Sequence, residues 1–238
     1  MLNVDETGHQ EYARRLWTWC FRAATFTLFK SDPSRSSPVR VGVLGAEFRG
    51  VLGGDYFSAD RQYLADGNGR VQFCLAQLLR DVRYLVEHPH ACHPVYGQRL
   101  RTALRTLFGV IHRRDELSVQ RCAVELQNAG DELLTQAVDR VPSTRAAQNL
   151  AERFRRHGES DVRFITTPGV EPTNKSPRRP IRFVVIDRLV TQGARSAAGR
   201  WWLERIWSVL ATCSQQGRSA LELLAQSVQA HFQGWPTP

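Results

Sequence analysis

The spacing of apolar residues along the chain changes near residue 75. Before that point, aromatic and β-branched residues occur in short runs bounded by turn residues, which is typical of strands. The runs predict extended segments at 2–5, 17–24, 26–30, 51–55 and 71–74, with a short helix over 38–48. The second and third segments are too close for a helix between them, so we expect them to form a hairpin.

From Leu75 onward the apolar period is helical. Leu78, Val82, Leu85 and Val86 define one apolar face, and a loop is predicted over 88–97. Further helices are predicted around Leu100 to Ile111, over 116–139 and over 144–157. Two C-terminal helices are predicted from the apolar sets Trp202, Ile206, Val209, Leu210, Cys213 and Leu221, Leu224, Val228, Phe232, with Gly217 ending the first of them. Strands followed by helices indicate an α/β class.

Composition places the chain among folded, non-membrane proteins. Apolar residues make up 42% of 238 residues, enough for a sizeable core. No apolar run approaches the roughly 18 residues that a membrane span needs, and the first residues do not resemble a signal peptide. The five cysteines are scattered without a Cys-x-x-Cys pair, which indicates reduced thiols and a cytoplasmic location.

Positive charge is concentrated in the C-terminal part of the chain. Residues 1–140 carry 18 basic and 16 acidic side chains, whereas residues 141–238 carry 14 basic and 7 acidic ones. This distribution predicts a polyanionic partner, most simply nucleic acid. The alternative is a solvated surface whose arginines reflect compositional bias.

Two aspartates follow predicted strands. Asp5 follows a short apolar stretch, and Asp55 follows another after a glycine pair. Carboxylates at the ends of neighbouring strands can share Mg²⁺ ions, which stabilise the attacking and leaving oxygens of a phosphodiester. Aspartates near strand ends are common, so the pattern alone does not establish such a site.

Long motifs strengthen the assignment. The chain reads Val-Asp-Glu-Thr-Gly-His at 4–9, Trp-Thr-Trp-Cys-Phe-Arg-Ala at 17–23, Gly-Gly-Asp-Tyr-Phe-Ser-Ala at 53–59, Phe-Ile-Thr-Thr-Pro-Gly-Val-Glu-Pro-Thr-Asn at 164–174, and Ile-Arg-Phe-Val-Val-Ile-Asp-Arg from 181. In these motifs it resembles the catalytic region of DDE transposases of insertion sequence family 66, over essentially its whole length.

The resemblance implies a ribonuclease-H-like mixed sheet with a helical insertion and C-terminal helices. It implies a first part of the catalytic core at 1–87, the insertion at 88–160, and the end of the core with the C-terminal helices at 161–238. Asp5 and Asp55 match the first two metal-binding acids of a family that uses Mg²⁺ or Mn²⁺. The implied reaction is DNA transposition by phosphoryl transfer, with transposon ends and target DNA as partners and self-association as a further expectation.

The third acid of the family does not match. Where the family has its glutamate, the segment Lys175 to Pro180 reads Lys-Ser-Pro-Arg-Arg-Pro, with Arg178 in the glutamate's column. A guanidinium offers no acceptor and does not hold Mg²⁺. We expect Pro180 at the first helical position, with the helix beginning only after it. The sequence on both sides of 175–180 matches the family, whereas these six residues do not, which suggests two compensating frameshifts. Reading the gene over 175–180 in a shifted frame should then restore an acidic residue.

The resemblance and its failure at Arg178 predict a catalytically inactive copy. The upstream recognition regions of the family are absent from the sequence, so we also expect a truncated one. The alternative function is a non-catalytic DNA-binding or interaction remnant. Basic residues that could contact DNA are Arg178, Arg179, Arg182, Arg188 and Arg195.

Three weaker features remain open. The cluster His88, His90, Cys92 and His93 is either a structural loop or a metal site, although its spacing fits no strong zinc signature. Trp201, Trp202 and Trp207 could stack on bases, but their helical spacing favours a core role for most of them. Asp60 stands where this branch of the family usually has an aromatic residue.

Overall fold

Each predicted β-prone run overlaps a strand of the structure, although some boundaries differ. The structure is a computed structural model that describes residues 1–45, 47–67, 69–87 and 92–236, without the side chains of Cys92, His93 and Arg178. Its strands are β1 (Leu2–Glu11), β2 (Arg14–Arg22), β3 (Thr27–Asp32), β4 (Val51–Gly54) and β5 (Arg70–Phe73). Within the described residues they follow the order β3-β2-β1-β4-β5 in one mixed sheet, which confirms the α/β class.

The helices occupy most of the remaining described chain. They are α1 (Ser37–Leu44), α2 (Ser58–Ala65), α3 (Leu75–Glu87), α4 (Cys92–His112), α5 (Val119–Val138), α6 (Arg145–Thr166), α7 (Arg178–Thr191), α8 (Ala197–Gln216) and α9 (Ala220–Gln233). None of these described helices is both long and apolar enough to cross a lipid bilayer.

The contacts divide the chain into two units, which are described separately. Unit 1 comprises residues 1–52, 65–68 and 175–238, and unit 2 comprises residues 53–64 and 69–174.

In unit 1, β1, β2 and β3 form an antiparallel meander. Asp5 lies opposite Cys20 in the first pair, and Cys20 lies opposite Phe29 in the second, which confirms the predicted hairpin. Helices α7 and α8 cover one face of these strands. The core between them is formed by Cys20, Phe29, Ile181, Val184 and Trp207.

Helix α8 also hydrogen-bonds to the backbone of β3. The amide N–H groups of Ser31, Phe29 and Thr27 donate to Glu204 Oε1, Ser208 Oγ and Thr212 Oγ1 at 2.8, 2.8 and 3.1 Å. The acceptors are four residues apart on the helix and the donors two apart on the strand. Four helical residues rise about 6 Å and two strand residues about 6.7 Å, so the two repeats stay in register.

In unit 2, the predicted helical run packs around its own core. Apolar side chains from α3, α4, α5 and α6 meet in one cluster, which includes Leu78, Val82, Leu85, Leu100, Leu104, Leu107, Leu133, Leu150 and Phe154. The periodic positions predicted from the sequence for α3 and α4 are therefore confirmed. The hydroxyl of Tyr96 adds a buried hydrogen bond to the carbonyl of Ala137, which links α4 to α5.

Several predicted boundaries were wrong. Strand β1 continues to Glu11 rather than ending at residue 5, because it pairs with β2 as far as Arg14. Helix α4 begins at Cys92, so the predicted loop over 88–97 is wrong for 92–97. His88 and His90, and the side chains of Cys92 and His93, lie outside the described residues. Helix α2 was not predicted at all.

Helix α6 extends to Thr166, nine residues beyond its predicted end. The prediction stopped just before Gly158, but this glycine does not end the helix. A Cβ at Gly158 would lie 2.8 Å from Leu134 Cδ2 on α5, and one at Gly130 on α5 would lie 2.6 Å from Ile165 Cδ1 on α6. Both glycines therefore allow close packing of the two helices.

The buried face of α8 also differs from the prediction. Trp202 is 61% exposed and Leu210 is 37% exposed, whereas Trp207 and Cys213 are buried. The predicted core role of the tryptophans is therefore confirmed only for Trp207, since Trp201 is 51% exposed. Gly217 ends α8 as predicted, with φ of 66°.

After α7, the chain returns to the end of β1 through Gly193. The amide of Ala194 donates to the carbonyl of Gln10 at 2.9 Å, and the amide of Tyr12 donates to the carbonyl of Ala194 at 3.0 Å. Gly193 has φ of 93°, and a Cβ there would lie 2.5 Å from the Gln10 carbonyl oxygen. Only glycine satisfies both the conformation and the contact.

We expect Gly193→Ala to lower the free energy of unfolding by about 3 kcal/mol, through backbone strain together with the clash. Gly217→Ala is the matched control, because φ there is also positive but a Cβ added at that position would meet no atom within 4 Å. It should cost only about 1 kcal/mol. Urea denaturation measures both, and equal losses would contradict the steric account.

Candidate functional site

Asp5 lies in the middle of β1 in unit 1. Its Oδ1 accepts a hydrogen bond from the amide of Glu6 at 2.9 Å, and the residue is half-buried. Across the strand pair it faces Cys20, where burial and then the Asp5 carboxylate raise the pKa of the thiol. The adjacent Glu6 forms an ion pair with Arg35 at 2.8 Å. Asp5 is thus fixed by strand pairing rather than by a loop.

Asp55 lies immediately after β4, in unit 2. Its Oδ1 accepts a hydrogen bond from Asn174 Nδ2 at 3.2 Å. The backbone N–H of Asn174 donates a hydrogen bond to Cys74 Sγ at 3.2 Å. Two residues earlier, the backbone carbonyl of Pro172 accepts a hydrogen bond from the backbone N–H of Leu75 at 2.9 Å. The Pro-Thr-Asn motif therefore binds to the start of α3 and orients the Asp55 carboxylate.

Asp60 packs against the glycine that precedes Asp55. It is 1% exposed, and its Oδ2 accepts from the amide of Phe57 at 2.7 Å at the start of α2. A Cβ at Gly54 would lie 2.5 Å from Asp60 Oδ1. Gly54 thus provides the space that this buried carboxylate occupies, and sequence reasoning did not identify that role.

Tyr56, the residue after Asp55, has an unusual backbone conformation. Its φ is 67°, in the left-handed region, which costs a bulky residue about 1–3 kcal/mol. The guanidinium of Arg153 lies 3.9 Å from the centre of its ring, and the rings of Phe73 and His157 pack against it edge-on. These contacts hold the strained turn that carries Asp55.

Arg153 is buried between two carboxylates. It donates to both oxygens of Asp161, at 3.3 and 2.5 Å, and to Asp81 Oδ2 at 3.0 Å. Burial raises the pKa of Asp161, and Arg153 opposes that shift by stabilising the ionised form. Burial also raises the pKa of Asp81, and the Arg153 guanidinium opposes that shift.

The position that the resemblance assigns to the family's third acid, residue 178, is at the start of α7, in unit 1. Helix α7 begins at Arg178, directly after Pro177, so the prediction that it starts after Pro180 is wrong. Pro180 is its third residue. The first four amides of a helix have no intrahelical acceptor, so a proline there loses no hydrogen bond. The side chain of Arg178 is outside the described part of the chain.

The other predicted DNA-contacting arginines divide into two groups. Arg179, Arg182 and Arg195 are exposed. Arg188 instead donates to Thr7 Oγ1 at 3.1 Å and to the carbonyl of Gly8, which connects α7 to β1.

Among the residues that the structure describes, no group of three or more His, Cys, Asp or Glu side chains is placed so that it could hold a metal ion. Glu204 follows the segment 175–180 in the sequence. Its carboxylate accepts a hydrogen bond from the backbone N–H of Ser31 and forms an ion pair with Lys30 at 3.5 Å. With arginine at position 178, the residues present do not fit a three-carboxylate centre.

We expect Arg153→Met to lower the free energy of unfolding by about 3–5 kcal/mol at pH 7.5, because it leaves Asp161 buried without its counter-ion. In the variant, the folded-state pKa of Asp161 rises further above its unfolded value. The folded state then binds more protons, so stability increases as the pH falls. Urea unfolding at pH 7.5 and 5.5 should show a smaller loss at the lower pH.

Arg156→Met is the control for that experiment. Arg156 lies on the same helix and pairs with Glu152 at 2.6 Å, but it is 70% exposed. Its loss should cost less than about 1 kcal/mol at either pH. An equal effect of the two substitutions would contradict the role assigned to the buried pair.

Comparison with known proteins identifies the lineage. The sequence model described as transposase IS66 family matches residues 1–200. No curated protein and no solved structure matches the chain. A match over this much of the sequence shows the family: the chain belongs to the IS66 family of transposases.

Proposed function

We propose that this chain is a transposase-related protein for DNA transposition by metal-dependent phosphoryl transfer that is catalytically inactive in this copy. The family indicates a function related to transposition, with DNA as partner, and DDE transposases generally use divalent metals. The proposal rests on Arg178, which is the first residue of α7 and which the resemblance assigns to the column of the family's third acid.

The proposed catalytic core is ribonuclease-H-like. In support, β1, β2 and β3 form an antiparallel meander and the strand order β3-β2-β1-β4-β5 is compatible with that fold. In further support, helices α4 to α6 fall mostly within 88–160, the range of the helical insertion that the resemblance implies. The boundaries of the insertion, at 88 and 160, remain part of the proposal.

Asp5 and Asp55 are the proposed remaining metal-binding acids. Mg²⁺ requires close to six oxygen ligands in a rigid octahedron and is usually bound through carboxylates and water. Replacing a third carboxylate by a guanidinium removes an acceptor and changes the local charge by two units. Cleavage chemistry is therefore not expected of this chain.

We expect the chain to show no Mg²⁺- or Mn²⁺-dependent nicking of supercoiled DNA. Arg178→Glu should restore saturable Mn²⁺ binding, measured by calorimetry, because it returns a carboxylate to the family position. Arg179→Glu is the matched control, with the same charge change at the next residue, and should not restore it. Nicking by the unmodified chain that disappears in Asp55→Asn would refute the proposed inactivity.

Failure of Arg178→Glu to bind Mn²⁺ would mean that position 178 does not account for the lost metal site. The proposal would then lose its supporting observation.

The second candidate function is that of a purely non-catalytic DNA-binding or interaction remnant. It is favoured by the net positive charge of residues 141–238 and by the exposure of Arg179, Arg182 and Arg195. Exposed guanidinium groups bind phosphate in a salt-dependent, sequence-independent way.

We expect the chain to bind duplex DNA at low salt without divalent metal, with affinity that falls steeply as salt rises. The triple variant Arg179→Gln, Arg182→Gln, Arg195→Gln should reduce the slope of log K against log salt by about 2–3. The control triple Arg83→Gln, Arg121→Gln, Arg156→Gln removes the same charge from side chains already paired with glutamates.

Fluorescence anisotropy with a labelled duplex measures both slopes. The control triple should leave the slope nearly unchanged. Equal slopes for the two triples would show that the C-terminal arginines have no special part in binding, and no binding at low salt would refute the DNA-binding function.

A further inference from the structure

A groove between α7 and α8 in unit 1 has no part in the proposed metal site. Its volume is about 460 Å³, which is within the range of small-ligand sites. It is bordered by both helices, by the end of β2 and by β3. Among its lining residues are Arg22, Phe29, Arg179, Phe183, Leu210 and Gln215.

The strand and helix geometry directs these side chains into one space. Cys20 lies opposite Phe29 in the β2–β3 pair, and both belong to the core beneath α7 and α8. Arg22 is two residues from Cys20, so its side chain is on that same face of the sheet. On α7, Arg179 and Phe183 are four residues apart and share a side of the helix. The two guanidinium groups and the Phe183 ring therefore border the same groove.

The charge in the groove is positive. None of the described residues that line it is acidic, and Arg22 donates to a neutral group, the hydroxyl of Thr27, at 3.1 Å. Arg179 is in the first turn of α7, which contains no acidic side chain. The amino end of a helix disfavours a cation, and two neighbouring guanidinium groups repel each other. An anionic ligand would offset both effects.

Hydrogen bonds hold the polar wall of the groove in place. The Thr27 hydroxyl accepts from Arg22 and donates to Gln215 Oε1 at 2.8 Å. The side-chain amide of Gln215 donates to the carbonyls of Ala23 and Ala24, both at 2.7 Å. Arg22 is thus positioned before any ligand arrives, and binding requires little ordering of this wall.

The opposite wall is apolar and open to solvent. The side chain of Phe183 is 47% exposed and that of Leu210 is 37% exposed, whereas Phe29 below them is buried. A ligand that suits both walls has a negative group joined to a flat apolar group. A nucleotide has this form, and aromatic side chains stack on the faces of bases with little regard to sequence. In a duplex those faces are covered by neighbouring bases, so only an unpaired base can use the Phe183 ring.

We propose that the α7–α8 groove binds one unpaired nucleotide of a DNA strand. Its phosphate lies between Arg22 and Arg179, and its base packs on the ring of Phe183. The planar guanidinium fork matches the geometry of phosphate oxygens. The inference rests on DNA as the partner in the function proposed above, and adds that the groove selects single-stranded over paired DNA.

Fluorescence anisotropy of the full chain with a labelled single-stranded oligonucleotide of twelve thymidines, at low salt and without divalent metal, tests the phosphate contact. Arg22→Gln should weaken binding about tenfold, because one charge-assisted contact is lost while a donor to Thr27 remains. Arg14→Gln is the matched control. Arg14 is exposed on the same strand, about 26 Å from Arg22 along it, and does not line the groove. Its replacement should change the affinity less than about twofold.

A second pair of variants tests the base contact. Phe183→Ala should weaken binding of the oligonucleotide at least about fivefold, because a stacking surface is lost. Phe232→Ala is its control, since Phe232 is 83% exposed on α9 and does not line the groove. With a blunt 12-base-pair duplex, Phe183→Ala should change the affinity less than about twofold.

Four results would overturn the inference: no saturable binding of the oligonucleotide, equal losses in the two arginine variants, equal losses in the two phenylalanine variants, or an equal effect of Phe183→Ala on duplex and single strand. The duplex experiment described above separates this failure from that of the proposed function. Normal duplex binding with no effect of Phe183→Ala on the oligonucleotide would refute only the groove. Loss of duplex binding with single-strand binding that depends on Arg22 and Phe183 would refute only the duplex contact.

Discussion

The arrangement of unit 1 depends on which groups accept hydrogen bonds from the backbone N–H groups of β3. A strand at the end of the sheet order leaves backbone donors without a strand partner, and such edges otherwise pair with other chains. Here Glu204, Ser208 and Thr212 of α8 accept those donors at matching intervals. This contact fixes both the position and the rotation of α8. It therefore also determines which side of α8 is buried, the side that carries Trp207 and Cys213.

The same contact explains why apolar spacing predicted the existence of α8 but not its inner face. Periodicity assigns polar residues to solvent, whereas here three polar side chains face the sheet and Trp202 is left exposed. For α3 and α4 the predicted core positions were confirmed, because Leu78, Val82, Leu100 and Leu104 are buried in one apolar cluster. The predicted ends of elements were wrong where pairing or packing with another segment determines them. Examples are the end of β1, which pairs with β2, and the end of α6, where Gly158 packs against α5.

The candidate site was predictable only in part. The motifs identified Asp5 and Asp55, and the hydrogen bond from Asn174 to Asp55 gives the Pro-Thr-Asn motif a physical role. Arg153 and Asp161 were not identified, because charged residues on an amphipathic helix are normally assigned to the solvent. Only the fold shows that they are buried beside Tyr56. Likewise, no sequence pattern indicates that His9 is buried.

The start of α7 has a consequence for the history of the protein. Position 178 is the first residue of a helix whose first turn contains no acidic side chain. The amino end of a helix carries partial positive charge, which favours a carboxylate by about 0.3–1 kcal/mol and disfavours a cation. A reversion from arginine to glutamate would therefore not be opposed by the helix dipole. At the first residue of α7, the helix dipole alone therefore favours a glutamate over an arginine.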